Sequence, residues 1–399
     1  MSARKDISGG KTGGGFVAHC RYRDDTGKDA ARYGPTRAVQ VPFAFRKISK
    51  LFQPSRSTAS KMHTRPLFPV RITRPRTTLL AVMLTTARLC ALEFTTNQVF
   101  QVSSGGRLVM DLDRGSIEVT TSDHPTVAIT VVREVKRGSD RTAQEIIDNH
   151  QLTFSQDGST VLVKAKMAKN PLQSWWGPSL SVRYQVTVPK QFDLNLDTAG
   201  GSVRIPDLTG KIDVETAGGS ITIGRVDGAV KADTAGGSIK VAGATGATDV
   251  NTAGGSIHLG EMGGSVYADT AGGSIHVKSA AGPVQVETSG GSIELGDMQG
   301  PVQADTSGGS ISARFPKSLS GDVSLETSGG SISVSVAEDA SFELDAECSG
   351  GRINSEVKVA TSGKPSRFKL RGPVGQGGPK LVLRTSGGGI SVKKLIATN

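Results

Sequence analysis

The stretch that decides the fold is DTAGGSIKV, Asp233–Val241. Near copies begin at Asp197, Glu215, Asn251, Asp269, Glu287, Asp305 and Glu326. A catalytic motif needs to occur once, so a phrase repeated this often points to architecture. The threonines fall at Thr198, Thr216, Thr234, Thr252, Thr270, Thr288, Thr306 and Thr327, a step of 18 residues six times and then 21. Two degenerate copies follow: ECSGGR, with Cys348 in the threonine slot, and RTSGGG, with Thr385. A short fixed period kept over many turns is the mark of a solenoid.

Aligned copies give columns. One runs Val214, Ala232, Val250, Ala268, Val286, Ala304, Leu325; another, after the glycines, runs Ile221, Ile239, Ile257, Ile275, Ile293, Ile311, Ile332. Apolar and polar positions alternate, so each coil holds two short strands of period two. The predicted fold is all-β: a parallel β-helix in which each strand stacks on its equivalent one coil later. Ten coils at about 4.8 Å each would make a rod of roughly 45–50 Å. Alternating Val and Ala suits packing of large against small between rungs.

The threonines keep phase with the inward positions and are expected to point inward or toward the corner. The corners themselves are the glycine pairs Gly200-Gly201, Gly218-Gly219, Gly236-Gly237, Gly254-Gly255, Gly272-Gly273, Gly290-Gly291, Gly308-Gly309 and Gly329-Gly330. They are expected to supply positive φ, where a Cβ would clash. The serine that follows is expected to cap the turn.

The rest of the chain differs in composition. Aromatics make up 5%, and Gly reaches 51 of 399 residues, which suits small stacked side chains over a large aromatic core. The net charge of +11 sits at one end: residues 1–76 hold 17 Lys/Arg against 4 Asp/Glu, and residues 77–399 hold 30 against 32. A nucleic-acid-binding body is therefore not expected. Cys20, Cys90 and Cys348 have no paired spacing, so neither a disulfide framework nor a zinc site is expected.

Residues 1–76 are expected to be a disordered basic tail. In RITRPRTTLLAVMLTTARLCALEF, Arg71, Arg74 and Arg76 precede an apolar run from Leu79 to Leu84. That is the layout of a secretory signal, assigned to residues 77–92, with Met62 as an alternative start. The run is short for a membrane span, and Arg88 makes the residues before Cys90 a poor lipobox. Export is expected, with membrane contact only through an uncleaved signal segment. Residues 93–196 alternate as strands, with one helical segment from Thr142, and form an N-terminal cap; residues 197–399 form the solenoid.

The acidic column Asp197, Glu215, Asp233, Asn251, Asp269, Glu287, Asp305, Glu326, Glu347 should face solvent. Known calcium rolls place Asp and a further Gly at offsets that GGSIKV lacks. His258 and His276 would be rung neighbours, but spacing fixes no third metal ligand. An ice-binding face needs outward threonines, and these are in the inward phase. No nucleophile elbow, P-loop or HExxH occurs, so neither an enzyme nor a cofactor is expected. The candidate binding surface is Trp175, Trp176, Tyr267, His258 and His276.

The run VTVPKQFDLNLDTAGGSVRIPDLTGKIDVETAGGSITI, Val186–Ile223, resembles the DUF4097 group of bacterial adhesin-like β-strand repeat proteins. The likeness extends over roughly 95 to 395. It implies an extracytoplasmic solenoid and brings no catalytic residues. The leading expectation is an exported, non-enzymatic adhesin-like protein that contacts surface glycans or proteins at many repeated outward positions. An envelope scaffold with end-to-end self-association is the second expectation, and a polysaccharide-acting β-helix enzyme the third.

Overall fold

The computed structural model describes residues 92–136, 139–168, 179–361 and 366–395. The basic tail, Met62, almost all of the signal-like segment, and both Trp175 and Trp176 lie outside the described residues. Leu92 opens the first strand, Leu92–Gln101.

The fold is nearly all β and consists of two long sheets, one of 15 strands and one of 14. Each repeat gives one strand to each sheet. Strands such as Val230–Thr234 and Thr248–Thr252 line up residue for residue in the 14-stranded sheet. Strands such as Ile239–Ala244 and Ile257–Met262 do so in the 15-stranded sheet. Parallel pairing at an offset of one repeat follows from the 18-residue period, because the same residue recurs at the same height in every coil. The Val/Ala column from Val214 to Ala304 is fully buried, and the isoleucine column from Ile221 to Ile332 is at most 1% exposed. The core is thus a stack of aliphatic rungs held between the two sheets.

The corner works through a hydroxyl clamp. Thr252 Oγ1 accepts from Gly255 N at 3.3 Å and donates to Gly237 O, one coil back, at 2.8 Å. Thr234, Thr270, Thr288 and Thr306 do the same with their own glycines. These threonines are buried, and the clamp satisfies two backbone groups that the corner would otherwise leave unpaired.

The glycine pairs are needed for a different reason from the one expected. Of the repeat pairs from Gly200 to Gly330, only Gly201 has a left-handed φ, at 123°. The second glycine of each pair is instead required by close approach: a Cβ on Gly237 would lie 2.0 Å from Gly219 O. The serine also acts differently. Ser238 Oγ accepts from Ser256 N of the next coil at 3.2 Å, so the serines form a ladder between coils and do not cap their own turn.

Both ends of the stack break sequence order. Gly106–Leu112 pairs in parallel with Phe192–Thr198, Asp111 opposite Asp197 and Leu112 opposite Thr198. Ile117 of Ser116–Ser122 pairs with Val203. The segment DLDRGSIEV, Asp111–Val119, is therefore a first copy of the repeat. The stack begins there, inside the segment expected to be only a cap. This coil lies between Phe192–Thr198 and Thr160–Met167 in one sheet, and beside Ser179–Pro189 in the other. Antiparallel strands Thr126–Lys136, Leu92–Gln101 and His150–Asp157 close this end. A helix, Asp140–Asn149, is N-capped by Ser139, whose hydroxyl accepts from Thr142 N.

At the other end Lys380–Thr385 inserts between Val323–Thr327 and Phe342–Cys348. The Thr385 coil thus precedes the Cys348 coil in space, the reverse of their order in the sequence. The antiparallel strand Lys369–Val374 makes the return possible. Cys348 is buried in the threonine slot, as its alignment implies.

Candidate functional site: the outer face of the 14-stranded sheet

Alternation puts every second residue of this sheet outside. One outward row runs, rung by rung, Asp111, Asp197, Glu215, Asp233, Asn251, Asp269, Glu287, Asp305, Glu326, Arg384, Glu347. Adjacent strands lie about 4.8 Å apart, so neighbouring carboxylates repel unless offset.

The two flanks of the row are offset. Asp233 pairs with Lys231 at 3.4 Å and accepts from Asn251 Nδ2 at 2.8 Å. At the other flank Arg384 pairs with Asp345 at 2.7 Å, and Arg371 reaches Glu347 at 3.4 Å. Burial alone would raise the Asp345 carboxyl, but Arg384 and Arg371 hold it below the usual carboxylate range.

Between the flanks, Asp269, Glu287, Asp305 and Glu326 form no ion pair among the described residues. Neutral groups orient three of them. Gln285 Nε2 donates to Glu287 and Gln303 Nε2 to Asp305, each at 3.1 Å, and the Ser324 hydroxyl donates to Glu326 at 3.3 Å. Burial raises the Asp305 carboxyl above its ordinary value, opposed by the Gln303 bond and reinforced by Glu326 and Glu287. Burial and then Glu287 raise Asp269. A shallow groove of about 760 Å³ runs along this stretch, lined by these carboxylates and by Thr288, Thr306 and Thr327 at the corner.

A second outward row stands beside the first: Lys231, Asp249, Tyr267, Gln285, Gln303, Ser324. Tyr267 is 36% exposed and borders a hollow of about 740 Å³ with Pro283, Pro301, Gln285 and Gln303. Chemically the face offers fixed hydrogen-bond acceptors, amide donors and one aromatic ring. It suits a hydroxyl-rich or cationic ligand. Among the described residues no group of three or more His, Cys, Asp or Glu is placed to hold a metal ion.

The three candidate binding residues that are described do not converge. Tyr267 lies on this face, whereas His258 and His276 lie on the 15-stranded sheet. The two imidazoles are rung neighbours with ring centroids 6.2 Å apart, and His276 Nδ1 lies 3.1 Å from Glu294. Reading the sequence missed Arg384, Gln285 and Gln303. The glutamines were visible two residues before the acids in GPVQVET and GPVQADT. Arg384 had no such signal, because its place depends on the inserted strand.

The like-charge run has a measurable pH signature. The folded state binds the Asp305 proton more tightly than the unfolded chain, so this group's contribution to stability falls as pH rises from the unfolded value through the raised folded one. Asp305→Asn is expected to stabilise the protein at pH 7 by up to about 1 kcal/mol. The gain should vanish near pH 3. Urea melts across that range check it; a loss of stability at pH 7 would contradict the repulsion.

A family model described as Toastrack DUF4097 matches residues 107–393. The chain belongs to the DUF4097 family. The match starts within the coil at 106–122 and ends within Ile390–Lys394, so it takes in both out-of-order coils. No curated protein matches the sequence. Among solved structures, this DUF4097 chain is similar to a "putative adhesin" from Bacteroides fragilis, at 11% identity over 76% of this chain and 97% of that one, with a TM-score of 0.30. It is also similar to a "putative lipid binding protein" from Parabacteroides distasonis, at 14% identity over 76% and 97%, with a TM-score of 0.31. Likeness at this level carries no ligand over to the present DUF4097 chain.

Proposed function

We propose that this DUF4097 protein is an extracytoplasmic, non-enzymatic, adhesin-like binder of surface glycans or proteins. Its contact face is the outer side of the 14-stranded sheet. The observation that carries this reading is the run Asp269, Glu287, Asp305, Glu326 with its amide row, where equivalent groups recur at one height per coil. A row of equivalent groups makes many similar weak contacts, which add through effective concentration. A reaction centre needs one distinctive cluster, and the repeat supplies near-copies instead. The basic-then-apolar layout of residues 71–91 supports export. No helix among the described residues is long and apolar enough to cross a membrane.

The test has two parts. Native protein is fractionated and its N-terminus sequenced, and export is expected. Binding to bacterial or host cells and to a glycan panel is then measured for the parent and for a variant lacking two whole repeats, residues 269–304. Loss of two rungs is expected to weaken binding at least tenfold. Full-strength binding by the shortened protein would rule out the multivalent mechanism.

A further inference from the structure

We propose that the N-terminal corner of the stack, walled by Arg114, Arg133, His150 and Tyr184, is a binding site for a small oxyanion, a phosphate or carboxylate group. It is separate from the outer face described above, and neither proposal depends on the other.

Among the described residues, every buried side-chain polar atom without a partner belongs to this one corner: Asp113 Oδ1, Arg114 Nε, Arg133 Nε, His150 Nδ1 and Nε2, and the Tyr184 hydroxyl. Native interiors leave few such atoms, and a cluster of them calls for a ligand or solvent. His150 is 2% exposed and Tyr184 fully buried.

The charges indicate the sign of the ligand. Two guanidinium groups face the Asp113 carboxylate, with the Asp148 carboxylate acting on Arg133 from further away. Asp113 already lies 3.8 Å from Arg114 and 3.5 Å from His150, and it accepts from Met167 N at 2.9 Å. Arg133 stands in the inward row of its strand between buried Val131 and Val135. It donates to Thr96 Oγ1 at 3.1 Å and forms no ion pair among the described residues. The Asp148 carboxylate acts on Arg133 only from beyond ion-pair distance, and burial still weakens the hold of this half-buried guanidinium on its proton, so its charge is incompletely offset. Its flat fork and the neighbouring donors match the acceptors of an oxyanion, and a cation would be repelled. Burial keeps the His150 imidazole below its usual range and the Tyr184 phenol above its own, so both are neutral hydrogen-bonding groups near pH 7.

The position in the fold is also distinctive. This is the same corner line that carries the threonine clamp in later coils. Here Leu112 occupies the threonine slot, and Asp113-Arg114 replaces the Ala-Gly found opposite it. The repeat is abandoned where the unpaired donors gather. Access is available along the outer lip, since the side chains of Asp113 and Arg114 are 24% and 29% exposed.

The experiment is a thermal melt of the full chain at pH 7.5, titrated with sodium phosphate, sodium acetate or sodium chloride at equal ionic strength. Phosphate or acetate is expected to raise Tm saturably by a few degrees beyond chloride. The anion that saturates at the lower concentration identifies the source chemistry. Arg133→Met should abolish the rise, and Lys240→Met, on the outer face of the 15-stranded sheet several coils away, should leave it intact. Tyr184→Phe keeps the ring and removes only the hydroxyl. It should weaken the apparent affinity several-fold and serves as the readout if Arg133→Met does not fold. No rise beyond chloride, or a rise that survives Arg133→Met or is unaltered by Tyr184→Phe, would overturn the proposal.

Discussion

Gly219→Ala is expected to destabilise the protein by about 3 kcal/mol or more, while Gly218→Ala, one residue earlier, should be nearly neutral. At Gly219 the added Cβ would lie 1.9 Å from Gly201 O and 2.2 Å from Gly201 C. Both are backbone atoms of the adjacent coil, so no side chain can rotate away. Relief would require the coils to part, and parting them stretches the Thr216 Oγ1 bond to Gly201 O. At Gly218 nothing lies within 4 Å of the added atom, and the backbone is not left-handed. Losing glycine there also reduces the freedom of the unfolded chain, which favours folding slightly. Urea denaturation of the two variants side by side decides the matter. Equal losses would mean that the pair acts through turn conformation, and the close-approach argument would fail.

The second large effect concerns the C-terminal end. Ending the chain after Gly378 is expected to unfold Phe342–Val374 as well as to remove the strands that follow. Lys380–Thr385 lies between Val323–Thr327 and Phe342–Cys348, and Ile390–Lys394 lies between Ile332–Val336 and Ile353–Ser355. The truncation therefore takes out an inner layer and leaves the outer one, Phe342–Cys348 with its antiparallel partner Lys369–Val374, with no strand joining it to the stack. Apolar groups such as Phe342 and Leu344, now buried, would lose their cover. Amide hydrogen exchange should show protection of 342–348 falling to that of an open segment, with protection of 212–306 largely kept, since coils in a stack depend mainly on neighbours. Continued protection of 342–348 would mean that the strand order is wrong.

The middle of the molecule was legible because one coil encodes its own register. A period of 18 with alternating Val and polar residues places Val214 over Ala232 and both inside, with no long-range information needed. The acidic row and the inward threonines followed from the same alternation. The ends were opaque for a physical reason. Pairing of Asp111 with Asp197 joins residues far apart in the chain, and Leu112 in place of threonine hides the copy. The place of Arg384 between Glu326 and Glu347 is a property of sheet order, which no local pattern carries. Corner chemistry was misjudged because Gly-Gly usually signals backbone conformation. A demand for room from the next coil leaves the same two letters.

The out-of-order coils also limit how such a chain can change length. Between Thr198 and Thr306 each repeat meets neighbours in the same strand register on both sides, so duplication or loss of two repeats, 36 residues, there keeps both the register and the Val/Ala alternation. Added residues beyond either end would meet an antiparallel strand whose partner is already chosen. Growth is therefore interstitial. The two termini act as fixed fittings on a shaft of adjustable length, and the distance between them can be tuned by unequal crossing-over without redesigning either fitting.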